Sequence, residues 1–179
     1  QRQMCIRDRY NKVFIKNLAS KKKFHSSLKI SLPKKLKFRK YSKNLLEENY
    51  DLIVIALSLS GIDFIGNELS ELEIKTPILV LTKGLKYEKK NKRILTISQL
   101  FEKNYKRLNI SILKGPCLAK ELAKKKRTSV IIANKNLNKA KLIGKIISTN
   151  YYLAEYSKDI MGVEAVSYTH LRAHETSID

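Results

Sequence analysis

The segment Asp51-Leu52-Ile53-Val54-Ile55-Ala56-Leu57 constrains the fold more than any other part of the chain. Side chains of a strand alternate between two faces, so an unbroken apolar run rich in β-branched residues needs cover on both sides. This predicts a central strand of a parallel sheet with a helix layer above and below. The apolar stretch from Leu52 to Ile62 is interrupted by serines and falls far short of the roughly 20 residues that span a bilayer, so it reads as core.

Runs of the same kind follow at Pro77 to Leu81, Ile110 to Leu113 and Ser129 to Ala133, with a last strand at Tyr151 to Leu153. The intervening segments carry helical spacing. Residues Ile62 to Leu72 predict one helix, Arg93 to Tyr105 a second with Ile94, Ile97, Phe101 and Tyr105 on one face, and Leu137, Ala140, Ile143 and Ile147 mark another. Gly115-Pro116 predicts a helix start after the third strand. Earlier, Val13 to Ile15 and Leu36 to Phe38 read as extended pieces, and Ser42 as the N-cap of a short helix holding Glu47 and Glu48. Strands alternating with helices give an α/β fold with a mostly parallel sheet flanked by helices, within a length that suits one domain.

The two ends are expected to lie outside that domain. Met4-Cys5-Ile6-Arg7-Asp8 can be written ATG TGT ATA AGA GAC, whose reverse complement, GTC TCT TAT ACA CAT, encodes Val-Ser-Tyr-Thr-His, which is Val166 to His170. An inverted repeat at both ends of a reading frame is what flanking adapter DNA leaves. Residues 1–9 and 165–179 are therefore set apart as adapter-like tails, and residues 10–164 are taken as the domain, cut at both ends.

The chain carries 37 Lys+Arg against 16 Asp+Glu, a net +21. Within residues 10–164 the 33 basic residues include 29 lysines. Such a balance admits nucleic-acid binding through counterion release. Yet Lys21 to Lys23, Lys89 to Lys92 and Lys124 to Arg127 lack the Arg forks and interleaved aromatics that grip phosphates and bases, and lysine-rich, arginine-poor composition also follows from AT-rich codons. Solvated faces are the favoured reading. Cys5 and Cys117 make neither a disulfide framework nor a metal-ligand spacing, so no metal is expected. No charged segment followed by an apolar stretch opens the chain, which predicts a cytoplasmic protein.

In open parallel sheets, ligands bind beyond the carboxyl ends of the strands. Ser58 and Ser60, Thr82-Lys83-Gly84, and Gly115-Pro116-Cys117-Leu118-Ala119 occupy such places. Lys83, beside a glycine, suits a phosphate or carboxylate, and on residues alone it equally suits an ordinary loop lysine. The helix start near Gly115 offers backbone amides to an anion. Cys117 has only His25 as a nearby-in-kind base, so a packed or ligand-facing role is favoured over a nucleophile. Neither a GxGxxG nor a Walker loop is present in the sequence.

In order and spacing, Asp51-Leu-Ile-Val-Ile-Ala, Pro77-Ile-Leu-Val-Leu-Thr-Lys-Gly-Leu85, Gly115-Pro-Cys-Leu-Ala-Lys-Glu-Leu-Ala123, Thr128-Ser-Val-Ile-Ile-Ala133 and Asp159-Ile-Met-Gly-Val-Glu164 resemble the bacterial NAD(P)-dependent glycerol-3-phosphate dehydrogenases. The resemblance covers residues 11–164. It implies an incomplete Rossmann-type domain of an oxidoreductase that interconverts dihydroxyacetone phosphate and sn-glycerol 3-phosphate by hydride transfer with NAD or NADP. Carried over by position, Lys83, Gly115 and Cys117 would contact the substrate, and Lys83 and Ala119 the cofactor. Cys117 stands where the family usually has Ser or Thr, and Ser58 where it commonly has Pro.

The resemblance also implies that the first strand with its glycine-rich turn precedes this sequence, and that the catalytic lysine lies beyond Glu164. None of the 179 residues is therefore assigned as catalytic, and the chain is expected to be inactive by itself. A small-molecule substrate, no nucleic acid, no membrane insertion and a full-length enzyme free to form a homo-oligomer complete the expectation. The alternatives are another Rossmann-type hydroxyacid or keto-acid dehydrogenase and, further off, a basic nucleic-acid-binding module.

Overall fold

The computed structural model describes residues 3–6, 23–25 and 28–175. Two small ribbons come first: β1 (Gln3–Ile6), β2 (Phe24–His25), β3 (Ile30–Ser31) and β4 (Lys37–Lys40), with β1 parallel to β4 and β2 antiparallel to β3. The chain then enters β5 (Ile53–Ile55), α1 (Ile62–Ser70), β6 (Ile78–Val80), a hairpin of β7 (Lys86–Glu88) and β8 (Arg93–Leu95), α2 (Ile97–Asn104), β9 (Ile110–Lys114), α3 (Ala119–Ala123), β10 (Thr128–Ala133), α4 (Leu137–Ile147), β11 (Tyr152–Ser157) and α5 (Ile160–Glu175). The strand expected at Val13 to Ile15 lies outside the described residues. Within the stretches set apart as tails, residues 3–6 form β1 and residues 165–175 continue α5; β1 remains outside the main sheet.

The main sheet has the order β11-β10-β9-β6-β5. Strands β5, β6 and β9 are parallel, with Val54 opposite Leu79 and Val80 opposite Ile112. Two apolar layers sandwich this sheet. On one face, Ile55, Val80 and Ile112 meet Ile62, Ile65 and Leu69 of α1 and Ile97, Leu100 and Phe101 of α2. On the other, Leu79, Leu113, Val130 and Ile132 meet Ala140 and Ile143 of α4. This alternation along β6 and β9 is why their runs are apolar throughout: successive residues serve different layers.

Several sequence expectations need correction. The Asp51 to Leu57 run forms the edge strand of the described sheet rather than a central one, and Val54 is 49% exposed. β9 and β10 run antiparallel, because their link contains only the short α3 and turns back at the same edge instead of crossing the sheet. Arg93 to Leu95 belong to a hairpin, and the second helix starts only after Thr96, whose side chain accepts from the Gln99 amide while Gln99 reaches back to the Thr96 amide. Ser42 precedes a 3-10 turn, Lys43–Leu46, without a side-chain cap. Among the described residues no helix is long and apolar enough to cross a membrane.

Candidate functional site

Because β6 and β9 are parallel neighbours in register, the residues that leave them, Leu81 to Gly84 and Gly115 onward, emerge at one edge of the sheet. The first exit is tightly held. The Leu81 amide donates to the Ile55 carbonyl at 2.8 Å, and the Thr82 hydroxyl donates to the Leu57 carbonyl at 2.8 Å. Lys83 follows with an exposed side chain. Gly84 takes φ +139°, a conformation that suits glycine, and a Cβ there would press on Leu59 at 3.3 Å.

At the second exit, Gly115 has φ +151°, and an added Cβ would come within 3.0 Å of the Ser129 carbonyl oxygen and of Val130 Cα. Glycine thus lets the end of β9 lie against the start of β10. The Cys117 amide donates to the Gly115 carbonyl at 2.9 Å, and the half-buried Cys117 packs against the cluster of Leu79, Leu113 and Val130. Burial raises its thiol pKa above the ordinary value, partly opposed by the Lys83 charge. Tyr152, packed on the same cluster, has its phenol pushed up to about 12, mainly by burial. A neutral thiol and phenol are the result at physiological pH. Ala119 is exposed at the start of α3, which begins three residues later than Pro116 suggested.

Two charged residues that sequence reasoning passed over sit between these exits and the helices. Lys114, the last residue of β9, is 2% exposed, and its ammonium donates to the Thr82 carbonyl at 2.7 Å. Burial lowers its pKa to about 8; nearby Glu164 opposes that shift and Lys83 adds to it. Glu164, on α5, is 0% exposed and accepts hydrogen bonds from the amide and the hydroxyl of Ser98 at the start of α2. A lysine inside an otherwise apolar strand, one residue before Gly115, was the available signal for the first. Nothing local in sequence marks the second.

Ser58 and Ser60 stand beside this centre, in the turn whose Leu57 accepts from Thr82 and whose Leu59 lies against Gly84; their hydroxyls bond each other at 2.9 Å. His25 Nδ1 accepts from the Leu28 amide at 3.2 Å in the β2–β3 ribbon. A hollow of about 370 Å³ between α2 and the start of α5 is lined by Ser98, Glu102, Lys135 and Asp159, with Lys135 and Glu102 paired at 2.5 Å. At the amino end of β9, the Asn134 side chain donates to the Ile110 carbonyl at 3.1 Å.

A parallel-rich sheet between two helix layers, with glycine-gated exits gathered at one carboxyl edge, defines a domain of the Rossmann type. The chain belongs to the NAD-dependent glycerol-3-phosphate dehydrogenase family, whose N-terminal family model matches residues 5–140. The glycerol-3-phosphate dehydrogenase [NAD(P)+] of Leptospira biflexa is 32% identical over 139 residues, covering 74% of this chain and 40% of that protein. Its counterpart in Bacillus pumilus is 27% identical over 139 residues, covering 75% and 39%. Among solved structures, the glycerol-3-phosphate dehydrogenase of Coxiella burnetii superposes with a TM-score of 0.72 at 20% identity, covering 88% of this chain and 47% of that one. The Plasmodium falciparum enzyme of the same name gives 0.70 at 17% identity, covering 87% and 43%. These superpositions speak for the fold. The chain spans about two fifths of the length of the curated relatives it matches.

Proposed function

We propose that the chain is the nucleotide-binding part of a cytoplasmic oxidoreductase that interconverts dihydroxyacetone phosphate and sn-glycerol 3-phosphate, and that its 179 residues alone do not complete a turnover. The observation that carries this reading is the convergence of Lys83 and Gly115 at one sheet edge, joined through the Lys114 bond to Thr82. The exposed Lys83 ammonium supplies the charge for a phosphorylated three-carbon ketone, and Gly115 leaves room for close backbone approach. Cys117, neutral and half-buried, lines the same edge as a small neighbour of the substrate. Bound NADH or NADPH supplies the hydride. Lys83 and Ala119 are the residues proposed to meet that cofactor, and the exposure of both fits such a role.

The lysine runs at 21–23, 89–92 and 124–127 are poor in arginine and carry no aromatics, which supports a solvated role for the basic excess and no nucleic-acid partner. The full-length enzyme is proposed to act on its small molecule as a homo-oligomer or alone. We also read residues 1–9 and 165–179 as foreign to the domain. Their mutual reverse complementarity supports this.

The test is a chimaera in which residues 10–164 are joined to the flanking segments of a full-length relative. It should reduce dihydroxyacetone phosphate, and Lys83→Ala should lower kcat/KM by about 100-fold, the loss expected when the substrate phosphate loses a charged hydrogen-bond partner. Equal activity with and without Lys83 overturns the site. Turnover by the 179-residue chain alone overturns the claim that it is incomplete.

A further inference from the structure

Thr82, Ser98, Lys114 and Glu164 are all buried, though each carries a polar group that would be better solvated in water. Apolar residues would fill such space at lower cost, so the arrangement calls for a role other than packing. We propose that Lys114 is the positioning residue of the Lys83 turn.

The geometry follows from the peptide bond. The Thr82 carbonyl belongs to the rigid plane that also contains the amide nitrogen and Cα of Lys83. Lys114, donating to that carbonyl from β9, therefore orients the peptide from which the Lys83 side chain springs. Thr82 is held from the opposite side by its hydroxyl bond to Leu57, just past β5. One exit turn is thus pinned between its two neighbouring strands. Along β9, Ile112 faces the layer of α1 and α2, and Lys114, two residues on, faces the same layer, where α5 also packs.

Two charged groups act on the Lys114 ammonium: Glu164 of α5 attracts it and Lys83 repels it. Glu164 is in turn fixed by the amide and hydroxyl of Ser98 on α2. This inference rests on the proposed function only in giving Lys83 a substrate to meet.

The experiment uses the ¹⁵N-labelled 179-residue chain and follows the Lys83 and Gly84 amides by NMR. Lys114→Met should speed their hydrogen exchange by about tenfold, the loss of a single hydrogen bond. Unchanged Lys83 and Gly84 amides in Lys114→Met overturn the proposal. Should the variant fail to fold, the unmutated chain decides: both amides should titrate with the midpoint shown by the Lys114 side chain itself, near pH 8. Amides that ignore that titration overturn it. A second arm adds sn-glycerol 3-phosphate to the chain and to Lys83→Ala. A Lys83 amide indifferent to this probe defeats the substrate reading alone, because the exchange and titration data judge the positioning role without ligand.

Discussion

Glu164 accepts both the backbone amide and the hydroxyl of Ser98, a residue 66 positions earlier in the chain, and no part of its side chain reaches solvent. The pair locks the second turn of α5 onto the first turn of α2. Removing the carboxylate takes the acceptor from a buried amide and leaves the Ser98 hydroxyl to its 3.0 Å contact with the Thr96 hydroxyl. Glu164→Ala should therefore cost about 2–4 kcal/mol in urea unfolding, against about 1–2 kcal/mol for Ser98→Ala, which spares the amide contact. Equal losses from both variants would show that the amide contact carries no weight.

Two helical glycines should respond differently to alanine. A Cβ on Gly66 would fall within 2.9 Å of Tyr105 Cδ2 and overlap the ring beyond it. Tyr105 cannot withdraw: it is buried, leans on Phe101 at 5.4 Å between ring centroids, and donates to the Asp63 carbonyl at 3.1 Å. A Cβ on Gly144 would meet the hydroxyl end of Tyr156, which is 38% exposed and free to swing outward. Overpacking should make Gly66→Ala destabilising by about 1–3 kcal/mol. Gly144→Ala should be close to neutral, since alanine regains up to about 1 kcal/mol of helix propensity. Melting temperatures of the two variants provide the comparison.

Gly115→Ala combines two penalties, a positive φ and a Cβ held 3.0 Å from backbone atoms of β10. Neither can be relieved by a side-chain rotation. The substitution should cost about 1–3 kcal/mol and disturb the amides of Ser129 and Val130 before those of α1. An NMR spectrum in which only residues adjacent to position 115 in sequence move would contradict the close approach of β9 and β10.

Lys114 sets a pH dependence whose sign follows from its lowered pKa. Unfolded, the amine keeps an ordinary value near 10.5; folded, burial brings it to about 8. Below about 8 both states hold the proton, and the full cost of the buried charge is present. Between those two values the folded chain has released a proton that the unfolded chain still holds, so this contribution makes stability rise with pH. Each pKa unit corresponds to about 1.4 kcal/mol. The urea midpoint of the unmutated chain, measured against Lys114→Met, should gain between about pH 8 and about pH 10 and stay level below that window. An unmutated-minus-variant difference that falls or stays constant across the window contradicts the burial of a titrating Lys114.

Composition and period sufficed for much of the fold. Ile78, Leu79 and Val80 are apolar because both faces of β6 are covered, and a two-faced apolar run has few other uses. The stripe of Ala140 and Ile143 marks α4 for the same reason, at helical spacing. Lys83 and Gly115 were legible as site candidates because each follows such a run, and parallel neighbours must deliver their exits to one edge. The capping box Thr96-x-x-Gln99 was readable too, and would have moved the start of α2 past the β8 strand.

What the chain could not announce was anything that depends on distant segments meeting. The reversal of β10 against β9 arises because a short α3 fails to carry the chain across the sheet, and helix length is settled by packing as well as by propensity. Lys114 looked like one lysine among many until β9 buried it beneath the Thr82 carbonyl. Glu164 looked like a surface carboxylate until α5 brought it to Ser98. Local sequence determines periodicity, caps and turns because those energies act over a few residues. The buried polar contacts behind Lys83 belong to tertiary structure, since their strength comes from excluding water from groups that are 32 and 66 positions apart in sequence and have no reason to meet before the chain folds.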